Sequence, residues 1–429
     1  MIDSLMKKDS LNNGGKKMKR AHSLLAAICL FFFLSQNTSL AKDVEIGGNV
    51  SHNLVFLLKE NRLFQNVTHF KILLEKNFLN NKGKLHLSFK GDYDSIQDKE
   101  LISLDKSYGD VYLKNTDLRI GRQIINWGTA DRINPTNFIT PRKFSLKKIE
   151  PVTEPIACFQ GTYYNKGADV TTVIVFDNQF KQIPMEVKEK LRKLVPGSED
   201  FPNPVEPKKT INNMEFALKV DTMLADNNIK FSYFHGWEDY PALWIEYEPG
   251  FPPHFNAKSQ YRRVNKVGLS TVGTFEKATL WSELAYIMPE RIEEMNLSNI
   301  LFSMNKPYLQ AVLGADYTFG DIYLEGQYIY YENGSLISPY FQYQQGEEVQ
   351  PAHYFMISSY NSNWIRNWRL DSIVSLQDQS CALIPQYGFY ISEATRLFLR
   401  GTLFFGNEDT EFGRLKDKES VSMSIKISF

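Results

Sequence analysis

Three guanidinium groups crowd into one short stretch, at Arg119, Arg122 and Arg132, interleaved with Gln123, Trp127 and Asp131. Such a set can hold an anion by forked N–H donation. It can equally act as a latch that ties a loop to nearby carboxylates or carbonyls. Arg369, Asp371, Arg396 and Arg400 form a second set toward the C-terminus. These ten residues are the candidates for the narrow part of a pore, and two readings of them stay open: attraction of an anionic solute, or a structural latch.

Covalent chemistry finds little support. There is no Gly-x-Ser-x-Gly, no His-Glu-x-x-His and no phosphate loop. The histidines at 52, 69, 86, 235, 254 and 353 are scattered. Cys158 and Cys381 are too few and too far apart for a disulfide framework or a thiolate metal site. The expectation is therefore no enzyme, no cofactor and no metal. A Ser/His pair assembled across strands would leave no trace in the sequence, so a barrel-embedded hydrolase remains a third reading behind the two developed below.

The elements that must position these side chains announce themselves through a period of two. From Val421 to Phe429 every odd residue is apolar and every even residue polar, the pattern of a strand with one face in oil and the other in water. The same alternation appears in Met214, Phe216, Leu218 and Val220 against Glu215, Lys219 and Asp221. It recurs in Leu309, Ala311, Leu313, Ala315, Tyr317 and Phe319, and in Trp368, Leu370, Ser372, Val374 and Leu376, where Ile373 is the one misfit.

Segments of this kind predict strands over 44–57, 68–79, 83–94, 102–113, 117–126, 154–163, 168–177, 212–221, 227–237, 263–274, 277–288, 308–318, 321–332, 351–360, 366–377, 380–391, 394–405 and 420–429. Sixteen to eighteen strands are expected, with eighteen the best count. Their length of about ten residues suits a tilted membrane strand. The links alternate between short ones, such as Ala225-Asp226, Phe275-Glu276 and Phe319-Gly320, and long ones at 127–153, 178–210, 238–262, 289–307, 333–350 and 406–419, with 58–67 and 95–101 intermediate. Short periplasmic turns and longer external loops are the rule for single-chain outer-membrane barrels.

The N-terminus agrees. Lys16, Lys17, Lys19 and Arg20 precede the apolar run Leu24 to Leu34, and Ser39-Leu40-Ala41 follows as a cleavage site. Residues 1–41 are thus expected to be a signal peptide, with Met18 a possible true start, and 42–429 a single barrel domain. The mature chain carries a net charge of about −4, which leaves no nucleic-acid footprint. Overall, 43% hydrophobic and 14% aromatic residues with a mean hydropathy of −0.34 fit a barrel better than helical spans. The expected fold is all-β, a transmembrane antiparallel up-and-down barrel with a polar interior, placed in the outer membrane of a Gram-negative cell. Terminal Phe429 resembles the signal that such barrels present to their assembly machinery.

The segment holding the first arginine set resembles a signature, G-R-Q-x-x-x-W-G followed shortly by N-P-T, found in a group of porin-like Gram-negative outer-membrane barrels of largely unknown function. Here it reads Gly121-Arg122-Gln123 to Trp127-Gly128, then Asn134-Pro135-Thr136, and it departs at Asn137, where the group often carries Asp. The resemblance implies fold and compartment more than cargo. Strict alternation sets Arg119 and Arg122 on opposite faces, so a bulge at Gly121 or a position above the lipid is expected.

Other inward candidates are Lys90, Asp92, Glu215, Lys219, Asp221, Glu283, Asp316 and Glu325. Residues 185–195 read as an amphipathic helix in an external loop, and 289–307 partly so. The Pro-rich loop with Trp244, Tyr247, Phe251 and Phe255 is expected to be rigid, its aromatics touching a ligand or packing a lid. Tyr360 and Trp364 near the periplasm, and Trp237, Tyr330 and Tyr331 near the outside, are expected in the interfacial girdles.

The first reading of function is a porin-like channel for passive or weakly selective passage of small hydrophilic solutes, or for export of a polymer. The alternative is a structural or surface-polysaccharide-assembly protein with a closed lumen. Expected partners are outer-membrane lipid, the barrel-assembly machinery, and a small solute or envelope polysaccharide.

Overall fold

Eighteen antiparallel strands close into a barrel in the computed structural model, which describes residues 44–140, 142–145, 150–185, 187–189, 204–248, 254–296, 300–338, 340, 349–362 and 366–429. The expected signal peptide, most of the 185–195 helix, Phe251, Leu297 and Trp364 lie outside the described residues.

The wall runs through β1 (Val44–Leu57), β2 (Arg62–Phe78), β3 (Gly83–Asp94), β4 (Lys99–Tyr112) and β5 (Thr116–Gln123). After a small hairpin of β6 (Arg142–Ser145) and β7 (Glu150–Thr153) it continues with β8 (Ile156–Tyr163), β9 (Asp169–Asp177), β10 (Glu215–Leu224) and β11 (Asn227–Trp237). Beyond β12 (Ala242–Glu248) and β13 (His254–Gln260) come β14 (Arg263–Phe275) and β15 (Ala278–Pro289), then β16 (Ile300–Leu301) outside the wall. The wall ends with β17 (Tyr308–Phe319), β18 (Ile322–Tyr331), β19 (Ala352–Ser362), β20 (Arg366–Ser375), β21 (Cys381–Tyr390), β22 (Thr395–Phe405) and β23 (Ser420–Ser428). Every neighbouring pair is antiparallel, and β23 pairs β1 from Asn49↔Ser428 to Leu57↔Ser420, so no edge is left open.

Alternation divides the side chains. Outward positions carry Ile120, Phe231, Leu284, Leu313 and Leu399, all exposed, which is where lipid must stand. The inward candidates on the wall strands take inner-face positions, except Arg122, which shares the parity of outward Ile120: Lys219 lies opposite Ser232, Glu283 opposite Val312, Asp316 opposite Glu325, and Arg400 opposite Gln386.

The external side differs from expectation. β2 starts at Arg62 rather than near 68, so 58–61 and 95–98 are four-residue turns, and 376–380 is nearly as tight. The tall loops stand instead above β5 to β19, with loop 406–419 between β22 and β23. Among them β12, β13 and β16 build a three-stranded sheet, so the 289–307 loop is only partly helical, a single turn at Glu293–Asn296 followed by β16. In this cap Leu243, Ile245, Phe302 and Tyr340 form one buried cluster, and Trp244 packs with Ile292 and Met295 in another. Trp244 therefore serves packing. Arg262, 2% exposed, ties the cap down through Glu238 at 2.6 and 3.1 Å and the Met304 carbonyl at 2.5 Å. Burial pushes the Tyr240 and Tyr261 hydroxyls up to about 12.

The girdle assignment also needs correction. Tyr360 faces inward, its ring tilted against Tyr323 at 4.6 Å between centroids, and Tyr331 pairs with inward Gln310. Tyr330 keeps an outward position beside His353.

Candidate functional site

Residues 124–140 leave the end of β5 and turn into the barrel. Ten of them, among them Ile125, Trp127, Ile133, Thr136, Phe138 and Thr140, are buried. The turn is knotted locally: the Ile125 N–H donates to Thr140 Oγ1 (2.9 Å), whose hydroxyl returns to the Ile125 carbonyl (2.9 Å), and the Trp127 N–H donates to Asn137 Oδ1 (3.2 Å). An amide at 137 thus meets the local need without a charge.

The segment crosses to distant parts of the wall. Glu283 of β15 accepts from the N–H groups of Thr129 (2.5 Å), Ala130 (2.8 Å) and Thr136 (3.0 Å) and from Thr136 Oγ1 (2.8 Å). Gln327 of β18 donates to the Asp131 carbonyl (2.7 Å), and Arg132 reaches Asp371 of β20 (2.8 Å). Asp371 also accepts from Arg369 (2.9 and 3.0 Å). Arg132, whose side chain is 4% exposed, takes a left-handed φ of 60° to make the reach.

Around these polar points the interior is dry. Ala130 and Ile133 pack with Trp281, Val312, Ile329, Tyr354, Ile373 and Ile384, all inward residues of β15 to β21. Ile125, Trp127, Phe138 and Ile139 pack with Ile156, Cys158, Val173, Val175, Ala217, Phe234 and Ala285. A polar interior was the expectation. Apart from Glu283, Gln327 and Asp371, the wall presents apolar side chains where the segment, or Phe412 and Leu415 of loop 406–419, packs against it. Ile373, the misfit of its strand, is part of this core.

The remaining arc, β22, β23 and β1 to β5, is lined by charge. Lys71 meets Asp105 (2.7 Å), Lys84 meets Glu75 (2.7 Å), and Arg119 meets Asp110 (2.6 Å). Arg119 also lies 4.1 Å over the Tyr108 ring. On β22, Arg400 donates to Gln386 and Arg396 lies 4.2 Å over Tyr390. Arg396 stands directly opposite Lys426.

The ten sequence candidates therefore separate. Trp127, Asp131, Arg132, Arg369 and Asp371 come together around the inward segment, with Gln123 at its root, where it donates weakly to the Cys158 carbonyl (3.5 Å). Arg119 belongs to the charged arc with an ion pair of its own, and Arg396 and Arg400 line β22. Arg122 does not join Arg119. Gly121 has φ 133°, yet pairing on both sides of β5 continues without a register shift, leaving Arg122 opposite Ser107 and Ala157 at the external end of the strand. The register break nearby falls in β8, between Ala157 and Cys158. Two participants stood out too little in the sequence: Glu283, one inward carboxylate among many, and Thr136, whose only signal was its place in the N-P-T triplet.

No protein-family model matches the chain, and no curated protein is similar to it. Solved structures are similar in fold. OccK5 (OpdH) of Pseudomonas aeruginosa superposes with a TM-score of 0.51 at 11% identity over 90% of this chain and 98% of that one. OccAB1 of Acinetobacter baumannii gives 0.51 at 9% over 90% and 95%. OccK2 (OpdF) of P. aeruginosa, in complex with glucuronate, gives 0.50 at 9% over 90% and 97%. At these identities the likeness concerns the fold, a closed antiparallel outer-membrane barrel, and with the lipid-facing belt it places the chain in the outer membrane.

Proposed function

We propose that this barrel is a passive, weakly selective channel for small hydrophilic solutes, with the passage along the charged arc of the inner wall. The carrying observation is the division of that wall. Inward side chains of β1 to β5, β22 and β23 include Lys71, Glu75, Asp105, Asp110, Arg119, Arg396 and Lys426, charged groups that need water beside them. Small solutes are favoured over a polymer because segment 124–140 takes up lumen on the opposite side.

Three cations on the arc, Lys71, Lys84 and Arg119, are matched by carboxylates. Arg396 and Lys426 have no carboxylate partner among the described residues, which supports a mild preference for anions, with the field strongest toward the periplasmic end. Arg119, already paired with Asp110, contributes less. The glucuronate held by OccK2 is an anion, and its effect on the conductance is one probe of this preference.

Planar-bilayer recording tests the reading. Refolded protein should give a stable conductance with a reversal potential shifted toward chloride. Complete absence of conductance would favour the closed-lumen, surface-assembly reading, for which the specific support is the external cap anchored by Arg262. Recognition of Phe429 by the assembly machinery is part of the same proposal, and deleting that residue should slow membrane insertion.

A further inference from the structure

We infer that the Trp127-Gly128 and Asn134-Pro135-Thr136 parts of the signature form a nest for one intramolecular anion, the carboxylate of Glu283, and that Glu283 is the positioning residue that sets the width of the passage. Its conductance readout rests on the channel reading above, while its structural readout does not.

Three observations converge. Glu283 is 2% exposed and has no cationic partner within ion-pair distance among the described residues. A buried carboxylate left in that state is costly, and its charge is met instead by three backbone N–H groups and one hydroxyl, shared so that Oε1 takes Thr129 and Ala130 while Oε2 takes both donors of Thr136. Successive main-chain N–H groups curled around an anion are an established way to hold one.

Gly128 supplies the second observation. Its φ is 93°, and a Cβ there would lie 2.6 Å from Glu283 Oε1 and 3.1 Å from Thr136 Oγ1. Only glycine admits the carboxylate so close. Third, Pro135 fixes the return of the chain just before Thr136 closes over Oε2, so the triplet fits the role of a clasp. The nest and its anion are separated by about 150 residues of sequence, and the clasp ties the end of β5 to β15 across the barrel. Without it, the segment keeps its apolar contacts but loses the bonds that hold residues 129–136 against β15, away from the charged arc.

The experiment uses full-length refolded barrel, with Glu283→Ala, Glu283→Gln and Thr136→Val, and with heat-modifiable migration on gels as the check that the barrel has closed. Glu283→Gln keeps the side-chain volume but can accept at only one atom, so it remains informative should the alanine variant fail to fold. Amide exchange at Thr129, Ala130 and Thr136 should quicken at least tenfold in Glu283→Gln, with wall amides unchanged, and single-channel conductance should change at least twofold. Thr136→Val should add nothing in the Glu283→Gln background. Unchanged exchange at those three amides overturns the clasp. Faster exchange with unchanged conductance overturns the positioning role while leaving a conducting wild type, and hence the channel reading, intact. A wild type that never conducts defeats the channel reading instead, and the exchange data then decide the clasp alone.

Discussion

The inner faces of β15 to β21 and of β1 to β5 share one period and one closed antiparallel sheet, yet they are built from opposite chemistry. On the first arc the inward residues include Ala285, Val312, Ile329, Tyr354, Ile373 and Ile384. On the second they include Lys71, Glu75, Lys84, Asp105, Asp110 and Arg119. The difference lies in what each arc faces. Where the chain folds back into the lumen the wall becomes half of a protein core, and burial of each large aliphatic side chain stabilises by about 1.5–3 kcal/mol. Where nothing folds back, water remains and the wall carries ions in pairs. A barrel interior is thus set by its contents and not by closure itself.

The contrast can be tested, beginning at the point where the two arcs meet. Asp371 serves Arg132 on the dry side and Arg369 toward the wet side. Asp371→Ala leaves the buried Arg132 guanidinium with only Asp131 at 3.7 Å and should cost about 3 kcal/mol in urea unfolding of the lipid-refolded protein; a cost below about 1 kcal/mol would show that the link matters little.

Next in size, Ile133→Ala in the dry cluster should lose about 2–4 kcal/mol, while Leu73→Ala, inward on the wet arc, should lose less than half as much. Equal losses would erase the distinction.

A third test uses acidity. Glu411 sits in loop 406–419 above the dry arc, accepting from Tyr354 (2.6 Å) and Ser335 (3.0 Å), and burial raises its carboxyl above the ordinary 4.5. A raised carboxyl holds its proton in the folded state, so its contribution is complete below pH 4.5 and is lost as pH rises through the folded value. Wild-type stability should fall with pH across that window and Glu411→Gln should flatten the fall. Parallel curves for the two proteins would remove Glu411 from the account.

The smallest effect belongs to the wet arc. Lys426→Met relieves a like-charge pair worth under about 1 kcal/mol, leaving stability nearly unchanged while reducing chloride preference. An unaltered reversal potential would detach the selectivity from this pair.

Strand positions were legible because lipid imposes a strict period of two, and only a few boundaries, chiefly the start of β2 and the three-residue displacement of β10, moved. Inward placement of Lys90, Glu283 and Arg400 followed from the same rule. What stayed hidden depends on contacts between distant segments. Nothing local to Glu283 marks it as the acceptor for Thr129 and Thr136, and nothing near Val312 or Ile329 reveals that Ile133 will cover them. Ile373, apolar where alternation asked for a polar residue, was the visible trace of that core. The cap strands β12, β13 and β16 were missed because their hydrogen bonds run within the external loops, so no lipid-facing period marks them.

The outer rim is uneven, with turns of four residues above β1 to β4, long folded insertions above β5 to β19 and loop 406–419 between β22 and β23. In the proposed channel, a bulky object arriving from outside would meet the insertions first, while a small solute would enter over the low side. Surface recognition and solute passage would then fall on separate stretches of the chain.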